Sequence, residues 1–139
     1  MKQFRDSRYW VKENGEVWSK TDAYEHICLK NEPLKSGEIK TYTWIQKKPE
    51  KWRKLRPQNK KGYEYYAIWL NKECYHLSGH RLVAELYVPG YFKGAHVDHI
   101  DNNKTNNHYT NLQWCTKEYN HKKGDRLDYP LFTSEILDS

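Results

Sequence analysis

Cysteine is scarce in this chain, and what there is forms no device: Cys28, Cys74 and Cys115 are odd in number, widely spaced and make no C-x-x-C pair. That excludes a zinc knuckle and a disulfide framework. Long apolar runs are missing too. No stretch of about 18 apolar residues occurs, which excludes a membrane-spanning helix. No charged-then-apolar leader opens the chain, so no signal peptide is expected and the Asn103-Lys104-Thr105 sequon reads as a chance match. A reducing, cytoplasmic compartment is the expectation.

Aromatic residues are plentiful instead. Twelve Tyr and six Trp can supply core area in place of aliphatics, or stack on exposed bases. Twenty-four Lys and Arg against 18 Asp and Glu give a net charge of +6. From Asp125 to Ser139 one Arg faces four acids, a local −3, so the preceding residues carry +9. A body that basic favours a polyanionic partner. With 139 residues, one compact unit is expected.

Tyr9 to Ser19, YWVKENGEVWS, alternates bulky apolar with polar residues around Asn14-Gly15, which predicts a hairpin. Weak periodicity follows, with Tyr24, Ile27 and Cys28 at the spacing of a short helix. Between Lys47 and Lys61 lie eight basic residues and one acid, interrupted by Pro49 and Pro57, which predicts a basic loop or linker. Such a run is either a solvated surface or a phosphate-tracking arm. Gly62 opens the strand-forming run YEYYAIWL, and Asn71-Lys72 turns it into ECYHL. Ser78 stands where it can cap a helix from about Gly79 to Val88, with Leu82, Val83, Leu86 and Tyr87 on one face. His80 and Arg81 begin its polar side, solvated or reaching a phosphate.

His96 to Asn120, HVDHIDNNKTNNHYTNLQWCTKEYN, concentrates chemistry. His96 to Ile100 and Leu112 to Cys115 read as strands joined by an Asn-rich loop, and Thr116 caps a helix to about Lys122. Asp98 would be a hard oxygen ligand for Mg²⁺ or Mn²⁺, with the Asn120 amide oxygen as the second protein ligand. His99 can take a proton from an attacking water. Asn111 could fix the loop or accept the other imidazole N–H. Neighbours on a regular strand point to opposite faces, so Asp98 and His99 share a site only if the backbone bends. A His beside an Asp is by itself more often a surface ion pair, and Asn in loops usually marks turns. The four residues in order shift the balance to hydrolysis.

In HRLVAELYV, VDHIDNNKTNN, NLQW and EYN the chain resembles the HNH, or ββα-metal, endonucleases, specifically the zinc-free branch of phage-encoded and intron-encoded homing enzymes. YWVKENGEVWS is similar to an element often attached to these nucleases, although Lys12 stands where Ser is usual. The resemblance spans residues 9 to about 122. It implies an α+β fold: a β-hairpin-rich N-terminal part, a short helix, then the ββα-metal nuclease motif. It implies Asp98 and Asn120 as metal ligands, His99 as general base and Asn111 as the support of His99 and its loop. His121 ranks second as a ligand, and His96 and His108 are structural or DNA-facing.

The expected organisation is a basic, aromatic, DNA-binding lead-in over residues 1–75, a nuclease core over 76–124 and an acidic tail over 125–139. Candidate DNA contacts are Lys47, Lys48, Lys51, Arg53, Lys54 and Arg56, with Lys60, Lys61 and Arg81 beyond them. The expected activity is metal-dependent DNA cleavage, by nicking or double-strand breakage, in a monomer or homodimer with no membrane partner. The competing expectations are a nucleic-acid-binding protein with an inactive HNH-like fold, or a toxin or restriction nuclease sharing the motif. A helix-turn-helix module after the motif, frequent in intron-encoded relatives, is not expected here.

Overall fold

Asn14 and Gly15 turn the N-terminal hairpin. Gly15 donates its N–H to the Lys12 carbonyl at 3.0 Å and adopts φ +96°, the left-handed conformation that a three-residue hairpin loop with a bulge requires. In the computed structural model, which describes residues 1–132, this turn joins β2 (Tyr9–Val11) to β3 (Val17–Thr21), with Trp10 opposite Trp18. Strand β1 (Lys2–Gln3) pairs with the other edge of β2. Residues 133–139, part of the expected acidic tail, lie outside the described residues.

Two compact units are formed, one from Met1–Ser19 with Lys54–Ser139 and the other from Lys20–Arg53. The expected single unit and the expected boundary near residue 75 do not coincide with this division. The reason is the core. Phe4, Tyr9, Val11 and Val17 pack with Tyr66, Ile68, Leu82, Val83 and Leu112, so the N-terminal hairpin shares one apolar interior with the helix and strands of the later motif.

The second unit is built on β4 (Tyr24–Pro33) and β5 (Ile39–Lys48), paired along their whole length with Ile27 opposite Ile45 and Cys28 opposite Trp44. This corrects the short helix expected around Tyr24 to Cys28. Those residues belong to both faces of a strand, and the pairing that decides between the alternatives lies some eighteen residues away, as the Cys28–Gln46 contact shows. The unit continues into β6 (Lys51–Lys54). The basic run expected as a loop is thus largely extended: the end of β5, then β6, then β7 (Gln58–Lys60) in the first unit.

In the first unit β7, β8 (Tyr63–Leu70) and β9 (Glu73–Ser78) form an antiparallel sheet. The two-residue turn Asn71-Lys72 has positive φ at both positions, 49° and 67°, the form that follows the twist of the strands. Helix α1 (Gly79–Tyr87) follows, with Leu82, Val83 and Ala84 buried. Ser78 occupies its N-cap position but makes no side-chain cap bond, unlike the expectation. Strands β10 (His96–His99) and β11 (Leu112–Cys115) pair antiparallel, Asp98 opposite Gln113 and His99 opposite Leu112. A 3-10 turn at Tyr109–Asn111 leads into β11. Helix α2 (Lys117–Lys123) closes the motif, its Tyr119 N–H donating to the Thr116 hydroxyl at 3.1 Å. Among the described residues no helix is long and apolar enough to cross a membrane.

Candidate active site

Strand β10 runs regularly to His99, so Asp98 and His99 meet different partners although both are buried, at 5% and 6% exposure. His99 Nε2 lies 2.9 Å from Asn107 Oδ1. The Asn107 amide is oriented in turn by its Nδ2, which donates to Glu64 Oε2 at 3.4 Å. Asn107 is 2% exposed and wedged between two glycines. A Cβ on Gly15 would stand 2.8 Å from its Cβ, and one on Gly79 would stand 2.9 Å from its Nδ2. The N-terminal turn and the start of α1 therefore shape the seat of the residue that holds the imidazole.

Two aromatic neighbours flank His99: the His80 ring, edge-on with centroids 4.9 Å apart, and the Tyr63 ring at 6.0 Å. Burial, with His99 and Arg81 alongside, pushes the His80 imidazole down to about 4, so it is neutral at physiological pH. Its Nδ1 is buried without a hydrogen-bond partner among the described residues. A cleft of about 480 Å³ is lined by Tyr63, Tyr65, His80, Arg81, His96 and Asn120 among others. A smaller recess beside it touches Asp98, His99, Lys104 and Asn120 together.

Asp98 faces α2. Lys123 Nζ donates to its two carboxylate oxygens at 3.0 and 2.8 Å, and Gln113 Nε2 donates to Oδ2 at 2.8 Å. Lys123 also donates to the backbone carbonyls of His99 and Ile100. Asn111 is engaged in the loop: its Nδ2 donates to Asp101 Oδ1 and the Asn106 carbonyl, and its Oδ1 accepts from the Asp101 N–H. Although burial pulls Asp101 up, donors from Asn106, Asn103 and Asn111 hold its carboxyl below the usual range. The structure thus brings Asp98, His99 and Asn120 to one recess and places Asn111 behind it, as the brace of the loop.

Of the basic candidates, Lys47, Lys48, Lys51 and Arg53 lie in the second unit, and Lys54, Arg56, Lys60, Lys61 and Arg81 in the first. Lys47 pairs with Glu25 and Lys54 with Glu16. Arg81 lies over the Trp114 ring at 5.8 Å. Asn107, Gln113 and Lys123 escaped the sequence reading. Lys123 had a signal: it is three residues beyond Asn120, one past the expected end of the helix, and i,i+3 spacing puts two side chains on one face when the helix runs that far. For Asn107 no local signal separates it from the other asparagines of the loop.

Comparison with known proteins bears on this arrangement. A model of the HNH endonuclease family matches residues 79–122, from the start of α1 to the end of α2. The likeness to HNH endonucleases lies in this segment. An uncharacterised HNH endonuclease of Acanthamoeba polyphaga mimivirus is 46% identical over 59 residues, 42% of this chain and 18% of that protein. DNA endonuclease I-HmuI of Bacillus phage SP01 is 41% identical over 61 residues, 44% of this chain and 35% of that protein. The chain therefore aligns with about a third or less of the length of these relatives. A solved structure, described as DNA binding and cleavage by the HNH homing endonuclease I-HmuI, superposes with a TM-score of 0.62 at 28% identity. It covers 99% of this chain and 63% of that one. The likeness in structure thus extends beyond residues 79–122, the matched segment that carries Asp98, His99, Asn107, Asn111 and Asn120.

The donor set can be tested against the divalent ion expected at Asp98 and Asn120. Among the described residues no three His, Cys, Asp or Glu side chains converge as a metal cluster. Asp98 already receives an ammonium on both oxygens and an amide on one. As arranged, Asp98 does not fit the part of a metal ligand.

Proposed function

We propose that this chain is a DNA endonuclease that hydrolyses phosphodiester bonds with His99 as general base. The observation that carries the reading is the 2.9 Å contact between His99 Nε2 and Asn107 Oδ1, inside a module that matches the HNH endonucleases. An amide oxygen only accepts, so Nε2 carries the proton and Nδ1 keeps its lone pair. A water gives its proton to Nδ1 as its oxygen bonds to phosphorus, and the leaving oxygen departs with the electron pair of its broken bond and takes a proton from solvent. The imidazolium formed keeps Asn107 Oδ1 as an acceptor. Lys104, at the recess, and Arg81, at the cleft, are placed to offset phosphate charge.

Supercoiled plasmid with Mg²⁺ or Mn²⁺ is the substrate for the test. A general base contributes about 10²–10⁴-fold, and His99→Ala is expected to lose activity on that scale with DNA binding retained. Equal nicking by wild type and variant, or no nicking with any divalent ion, sinks the assignment. One site per chain makes a single-strand nick the expected product of a monomer, and double-strand cleavage a matter for a homodimer.

A second reading has one observation in its favour, the neutralised Asp98. In it the chain binds nucleic acid through the basic residues from Lys47 to Lys61 and does not cut. Salt-dependent DNA binding without metal, joined to absent cleavage by the wild type, would select it.

A further inference from the structure

Lys123 ends α2 at 2% exposure, where a lysine is rare unless its charge is fully matched. Its ammonium is matched by four oxygens: Asp98 Oδ1 and Oδ2 at 3.0 and 2.8 Å, the His99 carbonyl at 2.8 Å and the Ile100 carbonyl at 3.2 Å. Carboxylate plus backbone carbonyls is the donor chemistry that hard divalent cations take. The protein fills it with its own side chain.

The carboxylate has little left to offer. Ionised, it presents about four acceptor positions. The ammonium takes one on each oxygen, and Gln113 Nε2 takes the second on Oδ2 at 2.8 Å. Gln113 is itself held, its Oε1 accepting from the Phe132 N–H at 3.1 Å. A divalent ion bound by both oxygens would sit about 2.0–2.6 Å from each, in the space the Lys123 ammonium holds. One bound through the remaining position on Oδ1 would face that ammonium at close range, with the carboxylate charge already spent on it.

We propose that Lys123 is the resident cation of Asp98, and that divalent ions and Lys123 compete for this one carboxylate. The same ammonium fastens the end of β10 to α2 through two carbonyls, so it also positions the His99 backbone. The inference concerns ion binding by the protein alone, and it stands or falls separately from cleavage.

The test measures Mn²⁺ uptake by electron paramagnetic resonance with no DNA present, on wild type, Lys123→Met, and Lys123→Met combined with Asp98→Asn. Removing a cation beside a carboxylate is expected to tighten Mn²⁺ binding by at least about tenfold, and the added Asp98→Asn to abolish the gain. A lysine with a merely structural part would leave Mn²⁺ affinity unmoved. Folded Lys123→Met that binds Mn²⁺ no tighter than wild type overturns the proposal.

Removing one partner of a buried pair can cost the fold, whereas removing both charges is better tolerated, so a second measurement uses wild type, with the double variant as the baseline for uptake away from Asp98. Reductive methylation with mass spectrometry reads the exposure of Lys123 as Mn²⁺ is raised. Protection throughout with no ion taken up at Asp98 supports Lys123 as the resident cation, and protection lost in step with uptake supports the competition. Labelling of Lys123 in metal-free protein, or uptake at Asp98 with Lys123 still protected, overturns it.

Discussion

His99 depends on one amide for its orientation, and that amide depends on two glycines for its room. Gly79→Ala ought to help a helix by up to about 1 kcal/mol on propensity alone. Its new Cβ would meet Asn107 Nδ2 at 2.9 Å and Tyr66 Cε2 at 3.2 Å, an overlap of the kind that costs about 1–3 kcal/mol. The expected outcome is a net loss of stability in urea unfolding and a fall in nicking rate. Asn107→Ala should lower the rate while DNA binding, followed by gel shift, is unchanged.

His80 adds a pH dependence. Its folded value near 4 lies below the ordinary 6.5, so the unfolded chain holds more protons between those values and stability falls as pH drops through that window. The loss reaches up to about 3 kcal/mol. Denaturant midpoints taken across it should fall for wild type and stay flatter for His80→Phe. Cysteine accessibility follows burial: Cys115 is fully buried, with its thiol pushed by burial to about 12, whereas Cys74 is exposed. Thiol titration should find Cys74 open in the native protein and Cys115 open only after unfolding.

Among the elements, those with local punctuation were legible in the sequence. Asn14-Gly15, Asn71-Lys72 and Thr116 mark two turns and a helix start where the chain makes them. β10 and β11 follow from short alternating runs around an asparagine loop. The β4–β5 hairpin was not legible. Ile27 pairs with Ile45 and Pro33 with Ile39, information held between segments and not within either. In the candidate site, the order of Asp98, His99, Asn111 and Asn120 was readable, but their partners were not. Whether an imidazole meets Asn107 or Asn111 depends on how the loop from Asp101 folds back, and no spacing states that.

The β4–β5 hairpin also has an expected dynamic signature. Ile27, Leu29, Ile39 and Ile45 are 61–76% exposed, so little apolar burial supports its backbone hydrogen bonds. Its amides should exchange with deuterium faster than those of β10 and β11, as mass spectrometry of peptic fragments can read. Equal protection in the two hairpins would count against that account.

For the whole molecule, the charge is the main variable. A body carrying +9 before Asp125 should bind DNA with an affinity that falls steeply as salt rises, the logarithm of the binding constant declining linearly with the logarithm of salt. Charge-neutral variants of Lys60 and Lys61 should flatten that slope, and an unchanged slope would remove them from the interface. Sequence composition made this polyanion preference legible. The division into Lys20–Arg53 and the remainder was not, because the core that unites the N-terminal hairpin with α1 joins residues more than sixty positions apart.

The meeting of Gly15 with Asn107 bears on portability. A family match confined to residues 79–122 invites the excision of that stretch as a ready-made cutting cassette for fusion to other DNA-reading domains. Such a transplant would carry His99 and Asn107 but leave behind the Gly15 turn against which Asn107 rests. The smallest graft worth building starts at the N-terminal hairpin.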